Sequence, residues 1–203
     1  DISVVFPVPA YPFNKKILAR HMRKSLKINV IGGGPGGLYF ALLMKLSNPE
    51  HLISIYERNK SDDTFGFGVV FSDETLANFM GQDPKTYTEI RNAFAYWNEI
   101  EVRFKGERIR SGGHGFAGMS RHKLLGILQQ RCQEEGVEIY FESEINNIDD
   151  FRDADLVLGS DGVNSTVRET YHEHFRPTVD IRKTKFVWLG TTQKFDAFTF
   201  IFK

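Results

Sequence analysis

Cysteine is almost absent: Cys132 is the single one among 203 residues, so no disulfide can form within the chain. Such usage fits a reducing compartment, and the expectation is a cytoplasmic protein. An excess of either charge is also missing. Lys and Arg number 26 and so do Asp and Glu, which excludes the basic footprint of a nucleic-acid binder. No long apolar run occurs; the stretch 38–44 is a helix face, far short of the roughly 20 residues that a membrane span needs. Metal-ligand spacing is lacking as well. His172 and His174 make two candidate ligands with no third, so a solvated helix face is the reading and no metal is expected.

What is present begins at residues 27–37, Lys-Ile-Asn-Val-Ile-Gly-Gly-Gly-Pro-Gly-Gly. A short apolar strand runs straight into Gly32, Gly34 and Gly37, and Pro35 and Gly36 open an apolar helical pattern. Gly32 permits the tight turn, Gly34 lets backbone approach phosphate oxygens, and Gly37 lets helix and strand pack closely. Phosphates would sit at the helix N-terminus, where free N–H groups and the positive dipole end meet them. A glycine fingerprint alone is weak. Here a second strand, 51–56, ends in Glu57, twenty residues past Gly37, where a carboxylate can accept from adenosine ribose hydroxyls. An adenine-dinucleotide site is the expectation, against an ordinary glycine turn.

The remaining pattern is α/β with a sheet-rich insertion at about 83–113. Ser72 reads as an N-cap with Asp73 and Glu74 in the first turn. Asp83 and Pro84 open a helix expected to reach about Asn98, with Trp97 in its core-facing side. Residues 100–104 and 108–110 flank Lys-Gly-Glu as a hairpin. Ser120 caps a helix ended by Gly136, and 137–141 and 155–159 are strands. The segments 185–191 and 195–202 read as paired antiparallel strands, with Trp188 facing inward. The fold class is therefore a Rossmann-like βαβ dinucleotide domain with the start of an antiparallel-sheet domain. Residues 1–21 hold three prolines and no period; they read as a poorly ordered extension, with Met22 as the biological start. The pattern stops in mid-strand at Lys203, as a fragment would.

A second glycine turn lies at 156–168, Leu-Val-Leu-Gly-Ser-Asp-Gly-Val-Asn-Ser-Thr-Val-Arg. Ligands bind at the carboxyl ends of such strands. Asp161 either serves a ligand through a bridging donor or caps an ordinary Asp161-Gly162 turn, and local chemistry leaves both readings open.

Gly32-x-Gly34-x-x-Gly37, Tyr56-Glu57-Arg58 and the 159–168 segment together resemble the single-component FAD-dependent aromatic hydroxylases. Residues 63–73 (Asp-Thr-Phe-Gly-Phe-Gly-Val-Val-Phe-Ser-Asp), 113–116 (Gly-His-Gly-Phe), 175–180 (Phe-Arg-Pro-Thr-Val-Asp) and 186–192 (Phe-Val-Trp-Leu-Gly-Thr-Thr) resemble most the salicylyl-CoA 5-hydroxylase and anthraniloyl-CoA monooxygenase group. A tryptophan hydroxylase of pigment synthesis shares a stretch similar to 188–191.

The resemblance implies a 22–182 FAD-binding domain and a substrate domain beginning at 183–203. It implies FAD against Gly32, Gly34, Pro35, Gly36 and Gly37, with Glu57 on the adenosine ribose and Arg58 against the adenine, where a planar guanidinium stacks well. Arg121 would lie near the pyrophosphate, and Asp161 and Gly162 would serve FAD and the nicotinamide donor. It implies NAD(P)H and O2 as co-substrates, a flavin C4a-hydroperoxide, and hydroxylation of an aromatic acyl-CoA of salicylyl or 2-aminobenzoyl type. A third FAD motif beyond Lys203, a possible fused C-terminal reductase domain and an inactive isolated fragment are further implications. No side-chain nucleophile is required. His114, between glycines, is the one weak catalytic candidate; a surface histidine is the favoured reading.

Overall fold

The computed structural model describes residues 25–185, 187 and 189–202. The expected extension at 1–21 and the inward-facing Trp188 lie outside those residues. Within them the chain divides into two units, 25–61 with 128–181 and 62–127 with the described residues from 182 onward.

The first unit is built on a parallel sheet. Its central strand β1 (Lys27–Ile31) buries Ile28, Asn29, Val30 and Ile31, the near-continuous burial of a strand covered on both faces. Neighbours β2 (Leu52–Tyr56) and β7 (Leu156–Gly159) flank it, and β6 (Glu138–Tyr140) adds beyond β2, giving the order β6-β2-β1-β7 with every pair parallel. Helix α1 (Pro35–Ser47) crosses from β1 to β2, with Pro35 at its first turn, and buries Gly37, Leu38, Ala41 and Leu42 as one stripe. The C-terminal part of α4 (Arg121–Glu134) supplies Cys132, whose thiol donates to the Leu38 carbonyl at 3.2 Å; burial pushes that thiol up to about 12. An unreactive core cysteine is the consequence. A smaller cluster joins Ile31 to Ile148 and Phe151 of a 3-10 turn and to Val167 of the short helix α5 (Thr166–Thr170). The βαβ dinucleotide architecture expected from the sequence is the one observed.

The second unit carries a four-stranded sheet in which Gly68–Ser72 (β3), Glu107–Ser120 (β5), Ala95–Phe104 (β4) and Phe198–Phe202 (β8) lie side by side in that order. β3 (Gly68–Ser72) delivers Ser72, whose hydroxyl accepts from Thr75 N to cap α2 (Asp73–Gln82). Helix α3 (Pro84–Ala93) starts at Asp83 as expected, and the buried Thr86 hydroxyl donates to Asp83 at 2.6 Å. It ends at Ala93, short of the expected 98, and Trp97 lies in β4 (Ala95–Phe104). Tertiary pairing overrides the helical pattern here: Trp97 stands opposite Phe116 of β5 (Glu107–Ser120), and its indole N–H donates to the Phe195 carbonyl at 3.1 Å.

The expected hairpin is present and longer than its sequence signal, turning at Lys105 and Gly106, both at positive φ. The strand β8 (Phe198–Phe202) pairs in parallel with β4, and not antiparallel with 185–191 as expected. No tight turn joins β8 to its partner, so nothing local fixes its direction. Of the described residues in 185–191, none is in a strand.

One face of the hairpin gathers charge. Glu101, fully buried, accepts from Arg108 and Arg110 at 2.7 Å each and from Arg103, and Arg110 also reaches Glu99 and Asp196. The three guanidiniums hold the Glu101 carboxyl down at about 2, against 4.5 for an ordinary glutamate. A depressed acid contributes stability above its unfolded value and loses it as pH falls. Melting temperature should therefore fall between pH about 4.5 and about 2 in a Glu101-dependent way. Glu101→Gln should melt lower at neutral pH and show a flatter acid limb. Parallel melting curves for the two proteins would contradict this.

Candidate functional site

Strand register assembles the site. Ile31 stands opposite Tyr56 on one side and Gly159 on the other, so the residues that follow, Gly32, Glu57 and Ser160, emerge together at the carboxyl edge of the sheet. Gly32 N donates to the Tyr56 carbonyl at 2.8 Å, and Ser160 N donates to the Ile31 carbonyl at 2.8 Å. The Ser160 hydroxyl then donates back to the carbonyls of Gly32 at 2.8 Å and Ile31 at 3.1 Å.

This closure explains which glycines are obligatory. Gly32 sits at φ 104, and a Cβ there would run into the Ser160 carbonyl. A Cβ on Gly37 would collide with the Gly32 carbonyl and the Ser160 hydroxyl. Gly34, the N-cap of α1, and Gly36, in its first turn, face open space instead, with nothing within 4 Å of an added Cβ. Gly34 offers no side-chain cap, so the first N–H groups of α1 await an acceptor from outside the helix. Bare backbone facing open space at a helix N-terminus fits a pyrophosphate.

Glu57 closes the other side. Its Oε2 accepts from Gly33 N at 2.7 Å, and its Oε1 accepts from both Asn59 N at 2.8 Å and Asn59 Nδ2 at 2.6 Å. The half-buried carboxylate is thus fixed beside the glycine turn, where a ribose hydroxyl of a dinucleotide would reach it. Arg58 is exposed. Asp161 uses both oxygens within its own turn: Oδ1 accepts from the Ser165 hydroxyl at 2.6 Å, and Oδ2 from Thr166 N at 2.6 Å and Val167 N at 3.3 Å. The capping geometry is present, and Gly162 follows at φ 85.

The fold brings the glycine turn, Glu57 and the Asp161 turn together in the first unit. Arg121 and His114 belong to the second. Arg121 is the first residue of α4, where its N donates to the Phe67 carbonyl at 3.2 Å. His114 is exposed, and its Nε2 bonds the Ser111 hydroxyl at 2.8 Å. Among the described residues there is no metal-ligand cluster and no helix long and apolar enough to cross a membrane.

Three site residues escaped sequence reasoning. Gly33 occupies a free position of the fingerprint, yet a Cβ there would stand 2.9 Å from Glu57 Cβ. Ser160 orients the glycine turn through hydrogen bonds to residues 128 and 129 positions away, and Asn59 orients Glu57 from two residues further on; no fingerprint spacing announces either.

The family model described as lycopene cyclase protein matches residues 27–170, which hold the whole first-unit site. The chain belongs to this family. Among curated relatives, salicyloyl-CoA 5-hydroxylase from a Streptomyces species is 45% identical over 87% of this chain and 34% of its own length. Protodeoxyviolaceinate monooxygenase of Chromobacterium violaceum is 32% identical over 88% of this chain and 48% of its length. The chain thus spans about a third to a half of these relatives. Among solved structures, the tetrameric form of 2-methyl-3-hydroxypyridine-5-carboxylic acid oxygenase superposes with a TM-score of 0.64 at 24% identity, covering 72% of this chain and 42% of that one, a likeness of fold. The expected similarity to aromatic hydroxylases is borne out, at the level of family and fold.

Within this member of the lycopene cyclase protein family, the glycines should separate by substitution. Gly37→Ala should cost about 1–3 kcal/mol, the usual penalty for overpacking a fixed contact. Gly36→Ala, in open space on a helix, should leave stability unchanged or raise it by up to about 1 kcal/mol. Chemical denaturation of both variants measures this; equal losses would contradict the assignment of Gly37 to packing and Gly36 to the open edge.

Proposed function

We propose that the intact protein is an FAD-dependent monooxygenase that hydroxylates an aromatic acyl-CoA of the salicyloyl or 2-aminobenzoyl type. The observation that carries the cofactor is the open backbone at Gly34 and Gly36 with the Glu57 carboxylate fixed beside it. The substrate class rests on the 45% identity to salicyloyl-CoA 5-hydroxylase.

In this reading the N–H groups opening α1 hold the pyrophosphate, and Glu57 accepts from the adenosine ribose. Arg58, exposed and planar, stacks on the adenine. The Asp161-Gly162 turn shapes the edge of the cradle through the cap it already makes. Bound FAD would supply the oxygen-transfer chemistry, with NAD(P)H and O2 consumed and the aromatic C–H converted to C–OH, one oxygen atom leaving as water. The protein's part is to orient the ring, which an ortho hydroxyl or amino group makes electron-rich, and to exclude water from the reacting centre.

The intact protein should be yellow and release FAD on denaturation. Salicyloyl-CoA or 2-aminobenzoyl-CoA should accelerate NAD(P)H oxidation and yield a hydroxylated thioester. Turnover of the free acids or of tryptophan, with the thioesters inert, would overturn the substrate assignment. Glu57→Ala should weaken FAD binding by about 1–3 kcal/mol, the range for leaving buried polar partners unpaired; unchanged affinity by fluorescence titration would remove Glu57 from the site.

A further inference from the structure

The Glu57 carboxylate is held from two directions before any ligand arrives. Oε1 takes two donors from one residue, the N–H and the side-chain amide of Asn59. Oε2 takes a single donor, Gly33 N–H. A carboxylate oxygen has about two good acceptor directions, so Oε1 is filled and Oε2 keeps one open. The backbone that carries this arrangement is itself pinned by the chain after β6. Ser143 N donates to the Glu57 carbonyl at 2.8 Å, and Glu142 N to the Asn59 carbonyl at 3.1 Å. Gly33 admits the close approach because it has no side chain: a Cβ would lie 2.9 Å from Glu57 Cβ and 3.3 Å from Oε2.

We propose that Asn59 is a positioning residue for dinucleotide binding: with Gly33 N–H it locks the Glu57 carboxylate so that Oε2 alone is offered to a ribose hydroxyl of the bound adenosine. The inference rests on the reading of this cradle as the FAD site. A glutamate side chain that nothing holds samples several rotamers, and each must be given up on binding. The Asn59 amide removes that cost in advance, as pre-organisation does generally. Because the Asn59 N–H bond is made by backbone, replacing the side chain removes one of the two Oε1 donors and leaves the loop's main-chain bonds in place.

The test is a double-mutant cycle in the flavin-stripped intact protein, with FAD dissociation constants from flavin fluorescence and melting temperatures of the same stripped samples. Asn59→Ala should raise the constant about five- to tenfold, the loss of one charge-assisted bond acting at a distance. In a Glu57→Gln background the same change should raise it no more than about twofold, because the group being positioned is no longer a carboxylate. Melting temperatures of the stripped proteins should agree closely. An unchanged constant in Asn59→Ala, or an equal loss in both backgrounds, would overturn the positioning role while leaving the FAD site intact. Asn59→Ser, which restores a short donor, covers the case in which the alanine variant does not fold: it should weaken binding less than tenfold and show the same non-additivity, and additivity there would overturn the proposal equally. If the unsubstituted protein takes up no FAD, the underlying reading fails, a result distinct from either.

Discussion

The site depends on one steric closure, the meeting of the ends of the adjacent strands β1 and β7 where the backbone is too crowded for side chains. Ser160 lies against Gly32, and the same serine hydroxyl lies where a Cβ on Gly37 would stand. That closure draws the first turn of α1 down onto the end of β1. The open backbone of Gly34 and Gly36 follows from it, since the chain must pass through a helix start there with no side chain to fill the space. The dense apolar packing of Ile28, Val30, Leu38 and Leu42 beneath makes the edge rigid, and a rigid edge is what a pre-formed phosphate cradle requires.

The second unit is organised by a different force. Its β4–β5 hairpin places Glu101 opposite Arg110 and Arg103 opposite Arg108, so that three guanidiniums converge on one buried carboxylate. Removing a partner from such a cluster leaves a buried charge uncompensated, so the cluster fixes register as much as it adds stability. Elsewhere in the same sheet, Phe116 stacks on Phe198 at 4.9 Å and Trp97 tilts against it at 6.0 Å, tying β8 to the hairpin by aromatic contact.

Much of the first unit was legible in the sequence because its determinants are local. The run Ile28 to Ile31, the glycines that follow and the acid ending β2 are each read from spacing alone, and β1, α1, β2 and β7 lie where that spacing puts them. The second unit was less legible because its determinants are remote. Trp97 has a helix-compatible neighbourhood and becomes a strand residue only through Phe116 and the carbonyl of Phe195, 98 positions away. β8 alternates like any strand, and nothing near it encodes a parallel partner. The same reason hid Ser160 and Gly33: each matters through a partner that the fold, and not the spacing, supplies. Asn59 lies two residues past its partner Glu57, and its side-chain amide matters only because Gly33 holds the other carboxylate oxygen. Asp161 was legible as a turn and ambiguous in role, and the bonds it makes to Ser165, Thr166 and Val167 account for its own oxygens.

The central claim is that the edge formed by Gly34, Gly36 and Glu57 receives an adenine dinucleotide. A crystal structure of the intact protein with its bound flavin tests it most directly. The account predicts pyrophosphate oxygens against the backbone N–H groups that open α1 and an adenosine ribose hydroxyl on Glu57 Oε2, with Asn59 still on Oε1. A dinucleotide bound elsewhere, or one at this edge with Glu57 turned away from the ribose, would contradict it.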